Sequence, residues 1–83
     1  MTPYTDTRYA LANILLMTAI GDWEQSELAT MDGITSRDSA EALKSKALYT
    51  IELLEHNACE LRYRGADKIL TAIRNWRYGK GIA

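Results

Sequence analysis

The sequence predicts a small all-α protein, and three observations carry this prediction. The chain has 83 residues with only one proline and five glycines, so residues that break helices are scarce. Apolar residues recur every three or four positions over long stretches, which is the spacing of one helix face. Long runs of β-branched residues, which favour strands, are missing. We therefore expect a single domain over residues 1–83 that forms a helical hairpin or a three- to four-helix bundle.

The first predicted helix covers residues 6–20. A threonine or aspartate among residues 5–7 can cap its start, and Gly21 would end it. Over residues 9–20 only two side chains are polar, so this helix has no polar stripe. Because such a helix must be covered on most sides and a short chain has little material to do so, we expect a second copy or another protein to cover it.

The same apolar run bears on location. It is shorter than the roughly 20 apolar residues that a transmembrane helix needs, so the sequence does not predict a membrane span. As a signal peptide it would be atypical, because Asp6 offsets Arg8 and Asn13 interrupts the run. The chain has one cysteine and cannot form an intrachain disulfide, which fits a reducing compartment. A cytoplasmic location is therefore expected.

Three further helices are predicted. Asp22 begins a capping-box pattern for a short helix over 23–31, although this segment could also be a mere turn. After the turn signal Asp32-Gly33, a long helix is expected over 37–64. A final helix is expected over 67–78.

Gly65 separates the last two predicted helices, but it could also mark a kink that joins them. The long helix would project beyond a three-helix core. Its apolar stripe is a second reason to expect an oligomer.

Residues 25–43 resemble a helix-turn-helix, a DNA-binding motif. Gly33 falls where the turn would be, whereas Ser39 stands where the second helix usually inserts a branched apolar side chain. Residues 23–43 carry five acidic side chains and one basic side chain. Because DNA binding depends on neutralising phosphates, an ordinary packing corner is the preferred interpretation of this segment.

Charge is distributed unevenly along the chain. Residues 1–33 carry five acids and one cation, whereas residues 62–83 carry six cations and one acid. The basic tail also contains Trp76 and Tyr78, and aromatic residues beside arginines can stack on unpaired bases or anchor a protein interface. We expect Trp76 to lie in the core, and Arg77 and Tyr78 to be exposed.

Catalytic and metal-binding patterns are weak. Glu52, His56 and Glu60 share a helix face, but ordinary pairing of side chains four residues apart explains them without a metal. Cys59 has acidic rather than basic neighbours and is expected to be a buried core residue. We therefore assign no catalytic, cofactor or metal residues and expect that the protein is not an enzyme.

The function predicted from sequence is a small protein–protein interaction module, a regulator or inhibitor that occupies the surface of a partner protein. The partner would be another protein, a second copy of the chain, or both. The alternative is a nucleic-acid-binding protein that uses residues 25–43 or the basic tail. The candidate partner-binding residues are Leu15, Leu16, Met17, Trp23, Arg74, Arg77 and Tyr78.

Overall fold

The computed structural model describes residues 6–32 and 37–82, which form three α-helices and no strand. Helix α1 spans Thr7–Asp32, α2 spans Arg37–Leu61 and α3 spans Ala66–Lys80. The predicted all-α class is confirmed. None of these helices is both long enough and apolar enough to cross a membrane. Of the predicted turn at Asp32-Gly33, Asp32 is the last residue of α1, whereas Gly33 lies outside the described part of the chain.

Helices α1 and α2 form an antiparallel hairpin. The start of α1 contacts the end of α2, because the backbone N–H of Arg64 donates to Oδ2 of Asp6 at 3.4 Å. At the other end, the ammonium group of Lys44 lies 4.8 Å from the ring centre of Trp23. The two helices therefore lie side by side over most of their lengths.

Asp6 caps the start of α1, and it is one of the three residues that the sequence offered as alternative caps. Its Oδ1 accepts a hydrogen bond from the backbone N–H of Arg8 at 2.8 Å, and the Arg8 side chain donates to its Oδ2 at 3.1 Å. These bonds from Arg8 hold the pKa of Asp6 below its ordinary value. Because Asp6 also accepts the bond from Arg64, one carboxylate joins the start of α1 to the segment after α2.

The predicted break at Gly21 is wrong. Helix α1 runs through this residue, so the predicted helices 6–20 and 23–31 are one helix of 26 residues. Downstream of Gly21, the side chains of Trp23 and Ser26 are buried. Burying a tryptophan removes far more apolar surface from water than is needed to offset the cost of one helical glycine, about 1 kcal/mol.

Gly21→Ala is expected to raise the free energy of unfolding by about 0.5–1 kcal/mol, because alanine restricts the unfolded chain and favours the helix. A Cβ at this position meets no atom within 4 Å. Denaturant unfolding at one fixed protein concentration measures the change. A loss of stability would contradict a continuous α1 at this position.

The long helix predicted over 37–64 is present and begins at Arg37, but its predicted end is wrong. Helix α2 ends at Leu61, and its 25 residues are matched by the 26 of α1. Arg62 adopts a left-handed conformation with φ of 49°, which ends the helix three residues before the predicted limit. Gly65 is also left-handed, with φ of 93°, so the chain turns a tight corner here and the kink alternative is excluded. Helix α3 starts one residue earlier and ends two residues later than predicted.

The core lies where the three helices meet. Its largest fully buried apolar side chains are Leu16 from α1, Ile51 from α2, and Ile69 and Ile73 from α3. Alanines let the helices of the hairpin approach closely, since they add little volume between the backbones. The buried alanines of α1 and α2 are Ala12, Ala19, Ala40, Ala47 and Ala58.

Helix α3 is held on one side of the hairpin by aromatic and charged contacts. The rings of Trp23 and Trp76 meet edge to face, with centres 5.3 Å apart. Trp76 is packed against the core, as expected. Lys80 Nζ lies 2.6 Å from Glu24 Oε1 and 3.0 Å from Glu27 Oε1. The basic tail thus contacts the acidic part of the chain within one molecule.

Candidate protein-binding surface

Helix α1 carries an uncovered apolar stripe beside its buried one. Leu11 and Leu15 are four residues apart and so lie on the same face, and they are 56% and 49% exposed. Helix α3 contacts α1 at Glu24 and Glu27, which lie on a different side of the helix. The stripe of α1 that contains Leu11 and Leu15 is therefore left to solvent.

Helix α2 extends this apolar surface. Leu61 is 54% exposed and faces the two α1 leucines across a shallow groove that is also lined by Leu54 and Asn57. Leu53, 45% exposed, does not line the groove but lies one helical turn before Asn57, which does, and so is beside it on the same side of α2. We call this surface, turned away from α3, the open face. We assign Leu11, Leu15, Leu53 and Leu61 to it. Ile14, 61% exposed, lies beside Leu11 farther round α1 and away from the groove.

The open face differs from scattered exposed apolar residues. Isolated exposed leucines are normal on protein surfaces, so exposure of a single side chain does not mark a site. Leu11, Leu15 and Leu61 line one groove between two helices together with the polar side chains of Arg8 and Asn57, and Leu53 lies one helical turn from Asn57. Patches of this kind on small proteins typically mark sites of protein or membrane interaction.

The structure divides the predicted partner-binding residues of α1. Leu15 belongs to the open face. Leu16 and Trp23 are only 2% and 8% exposed and lie inside the fold, so we do not retain them as partner-binding residues. Met17 is 65% exposed, but it lies on nearly the opposite side of α1 from Leu15 and therefore outside the open face. When a helix is apolar on all sides, its sequence does not show which side the rest of the chain will cover.

Leu11, Leu53 and Leu61 are additions that sequence reasoning missed. The sequence does contain a signal for Leu11. The spacings of three, four and seven residues between Arg8, Leu11, Leu15 and Asp22 place all four on one face of the helix. For the α2 leucines, only the position of α3 shows that this side of the helix is uncovered.

The basic tail lies on the other side of the hairpin. Nη1 of Arg77 lies 3.0 Å from Oε1 of Glu55, and the Arg77 side chain is only 24% exposed, so this arginine is paired within the chain and the expectation that it is exposed is wrong. The two glutamates that contact Lys80 raise its pKa, since their hydrogen bonds favour the charged form. Arg74 and Tyr78 are exposed, Tyr78 at 87%. Part of the basic charge of the tail is therefore already used to hold α3.

The segment that resembles a helix-turn-helix has a different geometry. Residues 25–32 are the last turns of α1, and residues 37–43 are the first turns of α2. These helices lie antiparallel, whereas the two helices of that motif cross at about 90–120°. The segment belongs to a helical hairpin, and its buried side chains, such as Ser26 and Ala40, pack inside the fold.

Other chemistry finds little support in the described ranges 6–32 and 37–82. They hold no group of three or more His, Cys, Asp or Glu side chains arranged to bind a metal. Cys59 is exposed, so the expectation of a buried cysteine is wrong. Burial raises the pKa of Tyr63, whose ring packs in the core with the guanidinium of Arg8 5.7 Å from its centre.

A comparison with protein-family models, curated proteins and solved structures finds no match for this chain.

Proposed function

We propose that the protein is a non-enzymatic protein–protein interaction module, a regulator or inhibitor that works by covering the surface of a partner through its open face. The observation that carries this proposal is the patch of four leucines, each about half exposed, across α1 and α2. An exposed apolar patch of this kind lowers solubility, and removing it from water in a complex contributes to the affinity for the partner.

The shape of the open face suits a helical partner. Antiparallel helices leave a groove between them, and a third or fourth helix can fill such a groove with its own apolar stripe. Leu11 and Leu15 line one side of the groove, while Leu54 and Leu61 line the other. A bound helix would remove the exposed leucines from water and complete a bundle.

The nucleic-acid alternative receives less support. The helix-turn-helix geometry is not present, and Arg77 and Lys80 of the basic tail are paired with glutamates. Phosphate binding would have to compete with these pairs. We also propose a cytoplasmic location, because the single cysteine, Cys59, is exposed and free, which suits a reducing compartment.

Leu15→Glu is the variant that tests the module. In a native extract, the tagged protein is expected to elute in a complex larger than its own 9.4 kDa chain, and Leu15→Glu is expected to shift it to the monomer position. A glutamate in the middle of the open face would have to be buried without a partner charge, which strongly opposes binding.

Met17→Glu is the matched control, because Met17 is also on α1 and also exposed but lies outside the open face. It should leave the complex intact. Elution of the unaltered protein as a monomer, or equal loss of the complex in both variants, would contradict the proposal. Circular dichroism verifies that each variant keeps its helices.

A further inference from the structure

We infer that the chain covering the open face is a second copy of this protein, related to the first by a two-fold axis. This inference rests on the proposed function, because it names the partner of the same surface. The argument comes from the charged residues beside the leucines. They repeat on both helices in a pattern that is complementary to itself.

On α1, the pattern is centred on Leu15. Arg8 lies seven residues before it and Asp22 lies seven residues after it, so all three share one face at two-turn intervals. If α1 of one copy packs antiparallel on α1 of another with the two Leu15 residues opposite, each Arg8 faces the Asp22 of the other copy. The arrangement makes this contact twice. Arg8 also donates to Asp6 of its own chain at 3.1 Å, so on α1 the contact with Asp22 would add to an existing pair. Among the described residues, no such pair involves Lys46 of α2.

On α2, the same pattern is centred on Leu53. Lys46 lies seven residues before it and Glu60 lies seven residues after it, and the charged and apolar side chains of all three are exposed. An antiparallel pair of α2 helices centred on Leu53 therefore places each Lys46 opposite the Glu60 of the other copy. Charges that flank an apolar stripe in this way set partner choice and register in helical assemblies.

Both centres lie at the same height in the hairpin, so one two-fold axis serves both helices. Leu15 and Leu54 line the same groove, which places them at a similar height along the hairpin. Asp6 accepts a hydrogen bond from the backbone N–H of Arg64 near one end of the hairpin, and this contact agrees with the same alignment of α1 and α2. A single axis that crosses the hairpin at the level of Leu15 and Leu53 pairs α1 with α1 and α2 with α2.

The other possible two-fold axis, parallel to the helices, also opposes unlike charges. It would stack α1 of one copy on α2 of the other, and residues at the same height would meet. Arg8 would then face Glu60, and Asp22 would face Lys46. The open face is thus electrostatically self-complementary under either two-fold arrangement, which is what an interface between identical copies requires.

Packing two hairpins face to face would produce a four-helix bundle with one α3 on each outer side. The open-face leucines of each copy would be buried against those of the other. Such bundles use apolar residues at three-and-four spacing in their cores, flanked by charged pairs. The basic tail of α3 would stay accessible on the outside.

Light scattering on the purified protein tests this inference. At micromolar concentration the protein is expected to have twice the chain mass of 9.4 kDa. An acidic variant, Arg8→Glu with Lys46→Glu, and a basic variant, Asp22→Lys with Glu60→Lys, would each carry one sign of charge on the open face. Each alone is expected to have the mass of one chain, whereas an equimolar mixture is expected to recover the dimer mass.

The outcomes separate this inference from the proposed function. A purified protein that stays monomeric, while the complex in native extracts persists, would overturn the second copy as partner and leave the interaction module standing. Homodimers of both charge variants as stable as the unaltered protein would also overturn it. If circular dichroism shows that Arg8→Glu disturbs the fold, the single variants Lys46→Glu and Glu60→Lys provide the same mixing test.

Discussion

Leu16→Ala is expected to lower the free energy of unfolding by about 2–5 kcal/mol, since it removes buried methyl groups and leaves a cavity. Leu16 is 2% exposed and belongs to the core cluster that joins all three helices, with Ile51 and Ile69 among its members. For a domain whose total stability is about 5–15 kcal/mol, this is a large fraction. Denaturant unfolding followed by circular dichroism measures the change.

Leu28→Ala is the matched control, because it makes the same chemical change on the same helix. Leu28 is 58% exposed, so its truncation should alter the free energy of unfolding by no more than about 0.5 kcal/mol. Both variants are compared at one protein concentration, because self-association would make stability depend on concentration. Similar losses for the two variants would contradict the burial that separates them in the structure.

Gly65→Ala is expected to lower the free energy of unfolding by about 2–4 kcal/mol through two separate effects. The φ angle of Gly65 is 93°, a region in which a side chain is strained. A Cβ at this position would also lie 2.6 Å from Cδ1 of Tyr9, so the ring would have to move. The corner between α2 and α3 is therefore built around the missing side chain, with the Tyr9 ring from α1 packed against it.

Gly81→Ala separates these two effects. Gly81 is also left-handed, with φ of 72°, but a Cβ there meets no atom within 4 Å. It should show only the backbone cost, about 1–2 kcal/mol, or less because it lies near the end of the chain. If Gly65→Ala costs no more than Gly81→Ala, the close contact with Tyr9 is not present in solution. Thermal unfolding gives an independent ranking of the two variants.

Local sequence signals were reliable where one residue acts alone. Asp6 was among the expected caps of the first helix, and its carboxylate accepts the Arg8 backbone N–H. Gly65 was expected to end the long helix or mark a kink; Arg62 ends α2 instead, and Gly65 is the left-handed residue just before α3, so the glycine marks the corner but not the helix end. These outcomes depend on side-chain and backbone preferences that operate within a few residues.

Signals failed where packing at a distance outweighed local preference. Gly21 has the lower helix propensity that suggests an end, yet α1 continues because Trp23 and Ser26 are buried beyond it. Arg62 has no local reason to be left-handed, and yet it ends α2, with Tyr63 buried immediately after it. In both cases, burial of a large aromatic side chain accompanies a backbone choice that propensity disfavours.

The candidate site shows the same division. The sequence correctly indicated that the first helix has more apolar surface than one short chain can cover, because that statement depends only on composition and periodicity. It could not show that Leu16 is covered while Leu15 is half exposed, since neighbouring apolar positions look alike until a packing partner is placed.

The sequence by itself determined the all-α class, the presence of a strongly apolar first helix and the unequal distribution of charge, because these follow from residue composition and helical spacing. Only the tertiary structure decided that α3 packs on one side of the α1–α2 hairpin and leaves the other open. Contacts between residues that are distant in the chain hold α3 in this position. Lys80 meets Glu24 and Trp76 meets Trp23, and such pairings arise from three-dimensional packing that no local pattern encodes.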